Sequence, residues 1–370
     1  MPKLKVRKIT YLLLPLVIGS FYFVSVAHAQ EMIPDKTTTM KAQVVHIEKQ
    51  ETKNIPGTET PTTYQTLTAK IQDGEESGIT VTVENDTLNL NEGEIFYLTH
   101  TQNNLDGTDF YTATDPYRLP AIYFFVGLFV FLVFCFGGKQ GIRGLIALVG
   151  SIFVILYILL PGILHGYPPL LLCMAACSFI IIIGSYLTHG INKTTTAAVV
   201  GMIVTILITG ILAYAAVHFT RLSGYSSEEA VYLNFNTHGV VDFSGLLLGG
   251  IMIGLLGVLY DAAIGQAVAV EELKSAAEHF SRKMIYNKAN RIGREHIGAL
   301  VNTLAIAYVG ASLPLLLLYA TSSTNITIML NQEIFATEII RIMIGSIGLV
   351  LAVPITTVIA VLMLVKKKET

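Results

Sequence analysis

The sequence predicts a membrane all-α helical bundle of about seven transmembrane helices, preceded by a small N-terminal all-β domain outside the cytoplasm. Three observations carry this. Hydrophobic residues make up 52% of the chain against 14% charged, a balance with a mean hydropathy of +0.60 that exceeds what a soluble core of this size buries. From residue 119 onward the apolar residues come in runs long enough to cross a bilayer. Residues 30–118, by contrast, are polar and alternate at period two between glycines. A net charge of −2 gives no basic field, so the expected partner is the lipid bilayer and no nucleic acid.

Taken in chain order, residues 1–8 carry four basic side chains, residues 11–26 are apolar, and Ala27-His28-Ala29 follows. This is the pattern of a signal peptide over 1–29, cleaved after Ala29 or retained as an anchor. The stretches 42–47, 67–71, 79–83 and 94–98 then read as strands of a five- or six-stranded barrel or sandwich, OB- or SH3-like by size, filling 30–118.

Over 119–370 the apolar runs fall at 119–137, 144–161, 168–187, 195–218, 243–265, 297–319 and 342–364. With residue 30 outside, the intervening inner loops hold Lys139, Arg143, Lys193, Lys274, Arg282, Lys283, Lys288, Arg291, Arg294, Lys366, Lys367 and Lys368, whereas the outer loops hold only Arg221. The positive-inside rule therefore places the C-terminus in the cytoplasm, with the chain in a cell membrane. Residues 271–295 read as a cytoplasmic amphipathic helix or a plain connector, with Leu273, Ala276, Ala277, Phe280 and Met284 on one side.

Polar groups inside the runs single out candidate functional residues, because an ionisable side chain at mid-bilayer costs at least about 2.5 kcal/mol. At 100° per residue, Gly250, Gly254, Gly257, Asp261 and Gly265 share one strip, which points Asp261 toward a neighbouring helix across glycines that permit close approach. The sixth run gathers Glu295, Gly298 and Asn302 with Thr303 adjacent, and the seventh gathers Glu338, Arg341, Gly345 and Gly348. Three consecutive helices then enclose a polar seam whose cytoplasmic half Asp261, Asn302, Glu272 and Glu295 line, while Glu338 and Arg341 pair at spacing i, i+3 near the outer end. The plainer alternative makes Asp261 a structural hydrogen-bond partner of Asn302 or Thr303, and the Glu338–Arg341 pair an interfacial anchor.

Elsewhere the chain is sparing. Cys173 and Cys177 read as small packing residues, and His218, His238 and Asp242 lack ligand spacing, so neither metal nor cofactor is expected. No nucleophile elbow, zinc-protease helix or phosphate loop occurs, and no enzyme activity is expected.

Three stretches, Gly257-Val-Leu-Tyr-Asp-Ala-Ala-Ile-Gly-Gln-Ala-Val-Ala-Val-Glu-Glu-Leu273, Gly293-Arg-Glu-His-Ile-Gly-Ala-Leu-Val-Asn-Thr-Leu-Ala-Ile-Ala-Tyr308 and Glu338-Ile-Ile-Arg-Ile-Met-Ile-Gly-Ser-Ile-Gly348 with Pro354-Ile-Thr-Thr357, resemble the YibE/F family of bacterial multi-pass membrane proteins. The resemblance implies the membrane architecture and supplies no assigned site residues. The chain departs from the family pattern at Gln266, where a small residue or Ser is usual, and at Ala299. Two functions remain open: an ion-coupled transporter or transport accessory using the seam, with a second membrane subunit or homo-oligomer as partner, and a non-transporting anchor or sensor whose β-domain binds a wall, lipid or protein partner.

Overall fold

The computed structural model describes residues 36–54, 57–103, 108–277 and 279–366. The expected leader over 1–29 lies outside them. The chain divides into two compact units, Met1–Gly127 and Leu128–Thr370.

In the first unit, β1 (Lys36–Asn54), β2 (Pro61–Ile71), β3 (Thr80–Asn85), β4 (Ile95–Gln102) and β5 (Asp109–Pro116) close a barrel in the order β1-β2-β3-β5-β4. Closure depends on β1, whose 19 residues pair with β2 along one stretch and β4 along another, bending at register shifts between Val44 and His46 and between Ile47 and Lys49. The only parallel pairing among the described residues, β3 with β5 at Glu84 and Thr112, completes the five-stranded barrel. Period-two alternation puts Met40, Ala42, Val44, Leu67, Ala69, Ile71, Val83, Phe96 and Leu98 inside. Two polar side chains join this core. Gln65 donates from Nε2 to the Leu90 carbonyl (2.8 Å) and accepts from the Leu90 N–H (3.0 Å), and Asn85 donates to Gln65 Oε1 (2.8 Å), so both amides are satisfied where water does not reach.

Helices follow: α1 (Leu119–Val154), a π-turn at Ile155–Leu159, α2 (Leu160–Leu164), α3 (Pro169–His189), α4 (Lys193–Thr220), α5 (Glu228–Asn236), α6 (Phe243–Ala276), α7 (Arg282–Ala311), α8 (Leu313–Ala320), α9 (Ile326–Asn331) and α10 (Glu333–Leu364). Among the described residues five helical segments are long and apolar enough to cross a membrane, and six if the pair α7–α8, bent by 64°, counts as one. The first of the five, Leu119–Leu164, contains both runs expected at 119–137 and 144–161. It is not straight. Gly138 has φ 53 and ψ −142, and a Cβ on Gly141 would lie 2.7 Å from the Val133 carbonyl oxygen, eight residues back and about 12 Å away along a regular helix.

Side-chain caps set several helix starts. Asn192, Asp242 and Ser281 each accept the backbone N–H three residues on, at 2.7, 3.0 and 3.3 Å. At the other end of α10, Arg282 donates from Nε to the Val365 carbonyl (2.8 Å), satisfying an oxygen the helix leaves free. The amphipathic helix expected over 271–295 does not exist as one element: α6 continues to Ala276 and ends, and α7 starts at Arg282 and runs unbroken into the next apolar run. That run is in turn interrupted after Ala311, where Pro314 falls in the first turn of α8 and has no N–H to continue the ladder.

Helix α10 is central and packs against α4, α6 and α7. Close approach comes from glycines facing hydroxyls. A Cβ on Gly201 of α4 would meet the Thr356 side chain and lie 3.0 Å from its Cα, and one on Gly348 would lie 2.7 Å from Leu255 of α6 and 2.8 Å from Thr209 of α4.

Candidate functional site

The three helices expected to meet, α6, α7 and α10, do pack on one another, but the polar seam assigned to them is not between them. From Leu255 onward the buried residues of α6 are Leu255, Leu259, Ala262, Ala263, Gln266, Ala267 and Val270. The strip Gly250, Gly254, Gly257, Asp261 and Gly265 is the opposite face and is exposed throughout. A Cβ on Gly250, Gly257 or Gly265 would touch nothing, and only Gly254 has a neighbour, the Tyr308 hydroxyl of α7. The inward orientation expected for Asp261 is therefore corrected. Helical periodicity defines which residues share a face, and here the inward face is the one rich in Leu and Ala.

The same correction applies on α7. Asn302, Thr303, Gly298 and Glu295 are exposed, nothing lies near Gly298, and the Thr303 hydroxyl donates to the Ala299 carbonyl of its own helix (2.9 Å). Glu272 is exposed on α6. Among the described residues no hydrogen bond joins Asp261 to Asn302 or Thr303, so the structural pairing considered as the alternative is also not made. On α10, Gly345 and Gly348 are buried, and a Cβ on Gly345 would lie 3.1 Å from Leu304 of α7. Arg341 and Glu338 pair at 2.8 Å, and the guanidinium lies 5.8 Å from the centroid of the Tyr308 ring. Tyr308 thus links α10 to Gly254 of α6. The Arg341 Nε is buried without a partner.

Several residues that periodicity did not mark do the joining. Gln266, 3% exposed, donates from Nε2 to the Ala289 carbonyl (2.7 Å), and its Oε1 lies where a Cβ on Gly293 would be 2.7 Å away. The departure from the family pattern at this position was the one available signal. Glu333 accepts from the Ser223 and Gly224 N–H groups and the Ser223 hydroxyl, each at 2.8 Å, and so fixes the turn after α4 to the start of α10. Thr209 and Thr356 hydroxyls are buried without partners inside the bundle. Cys173 and Cys177 are free and buried, Cys173 against Gly249. No set of metal-ligating side chains occurs among the described residues.

The barrel carries its own polar features. A groove of about 340 Å3 is lined by Lys49, Glu51, Lys53, Tyr64, Glu84 and Asp86. Hydrogen bonds from the ammonium groups of Lys49 and Lys53, both 2.7 Å from Glu51, hold its carboxyl down at about 2. Across the barrel, His100 sits between Glu76 (2.8 Å) and Asp109 (3.1 Å) and stacks on Tyr111 at 4.5 Å. Burial, reinforced by Glu76, pushes the Tyr111 hydroxyl up.

No curated protein and no solved structure matches the chain. The profile of the YibE/F-like protein family matches residues 125–366, from the apolar part of α1 to the end of α10. With well over half of the chain covered, and with apolar helices throughout that span, the protein belongs to the YibE/F-like family of membrane proteins.

Proposed function

We propose that the chain is a subunit of an ion-coupled transport assembly in the bacterial plasma membrane, in which the α6 strip bearing Asp261 is covered by a second membrane subunit. The observation that carries this reading is the exposure of Asp261, in the interior of a 34-residue apolar helix, on a face otherwise made of glycine. A carboxylate there costs at least about 2.5 kcal/mol against lipid, and glycines facing lipid forgo packing. Both penalties vanish when another helix seats on the strip. A second copy is the economical occupant, because a glycine-lined strip accepts its own equivalent across a two-fold axis. The polar path then runs between subunits, with Asp261 as the group that takes up a proton or cation.

In this reading Gly138 divides the first segment into two crossings and the bent α7–α8 pair supplies another, giving seven; the barrel lies outside and the basic residues of α7 lie in the cytoplasm. A second reading, a non-transporting anchor or sensor, is favoured by the polar groove at Glu51 and keeps the barrel as the binding module. Vesicles reconstituted with the purified protein and a trapped pH-sensitive dye separate the two. Transport predicts a proton- or cation-gradient-dependent dye response that Asp261→Asn abolishes. A wild-type response no larger than that of empty vesicles ends the transport reading.

A further inference from the structure

Between Lys193 and Lys274 the chain contains one Lys or Arg, and it is Arg221. This lone cation ends α4 and borders a cavity of about 440 Å3 between the end of α4 and the start of α6. Tyr214, His218 and Ser244 supply further polar groups, and Val217, Leu222 and Leu248 form a floor that is 3–6% exposed. The His218 ring lies parallel to Tyr214, with centroids 6.3 Å apart, so the two rings share one side of α4. Ser244 stands in the first turn of the 34-residue α6.

The carboxylates that would ordinarily neutralise Arg221 are committed elsewhere. Glu333 takes the Ser223 and Gly224 N–H groups and the Ser223 hydroxyl, and Asp242 caps α6 by accepting from Gly245. Among the described residues no carboxylate pairs with the guanidinium. A planar fork of donors, two hydroxyls and an imidazole arriving from two helices, above an apolar floor, make a pocket for an oxyanion carried on an apolar body.

We propose that this cavity binds a phosphate group. A phosphate offers oxygens in several directions, matching donors that come from α4 and α6 together, and the volume suits a phosphate with an attached organic part. The group can belong to a lipid headgroup or to a soluble phosphate; the chemistry is shared. The site is independent of Asp261 and of the transport reading.

The experiment uses the full-length protein in detergent. One arm measures phosphatidylglycerol retained after delipidation, against phosphatidylcholine, by native mass spectrometry. The other measures binding of radiolabelled inorganic phosphate by equilibrium dialysis. Arg221 has φ 55, a left-handed conformation that asparagine tolerates well, so Arg221→Asn removes the charge at no backbone cost. It is expected to lower binding at least tenfold while melting at the wild-type temperature. Arg221→Lys, which keeps the charge and loses the fork, is expected to lower it two- to threefold. Selective phosphatidylglycerol retention assigns a headgroup, and inorganic phosphate binding assigns a soluble ligand. The proposal is overturned if wild type prefers neither probe, or if Arg221→Asn binds whichever probe is held as wild type does.

Discussion

Substituting Gly201 by alanine tests how closely α4 and α10 approach. The new Cβ would press on the Thr356 side chain and lie 3.0 Å from the Thr356 Cα, a backbone atom that no rotamer change moves aside. Overpacking of this kind costs about 1–3 kcal/mol, and the better helix propensity of alanine returns about 1 kcal/mol. The net loss is up to about 2 kcal/mol, which at roughly 2–4 °C per kcal/mol for a unit of this size lowers the melting temperature by as much as about 8 °C. Gly257→Ala is the matched control: nothing lies near its Cβ, so the propensity gain of up to about 1 kcal/mol is unopposed and the dispersed protein melts about 2–4 °C higher. Far-ultraviolet circular dichroism of both variants during heating in detergent reads the two shifts. If Gly201→Ala melts as high as Gly257→Ala, the two helices are farther apart than the glycine–threonine contact requires and the central position of α10 is wrong.

Two further outcomes follow from the hydrogen bonds. Gln266→Glu sets an acceptor against the Ala289 carbonyl in a buried place; a charge there costs at least about 2.5 kcal/mol, a fall of roughly 5–10 °C, whereas Gln266→Met loses only a bond of about 0.6 kcal/mol and falls by less than about 3 °C. In the barrel, the folded-state carboxyl of Glu51 is depressed from 4.5 to about 2, so its ion pairs contribute fully above pH 4.5 and are lost as pH falls through about 2. Thermal melts of the full chain against pH are expected to converge with those of Glu51→Gln at the acid end and to separate above it, and parallel curves would refute the pairing.

Much of the architecture was legible because hydropathy and charge act over whole segments. The runs at 168–187 and 195–218 correspond closely to Pro169–His189 and Lys193–Thr220, and alternation at 42–47 and 67–71 lies within β1 and β2. β5 was not marked individually, since Asp109–Pro116 buries only Ala113 and so lacks a clear apolar period. The site was less legible for a physical reason. In water an amphipathic helix turns its apolar face inward, but in lipid Leu and Gly faces are both admissible outside, so the pattern around Asp261 fixed a strip without fixing its direction. Gln266, Tyr308 and Glu333 act through single contacts made by distant segments, which no periodicity encodes.

The clamp formed by Glu333 has a mechanical corollary. Because one carboxylate holds the turn beyond α4 while beginning α10, and Gly224 leaves no room for a side chain beside Phe243 at the head of α6, these three long helices are riveted at a common end. The 64° elbow between α7 and α8, with proline just past its joint, lies outside this clamp.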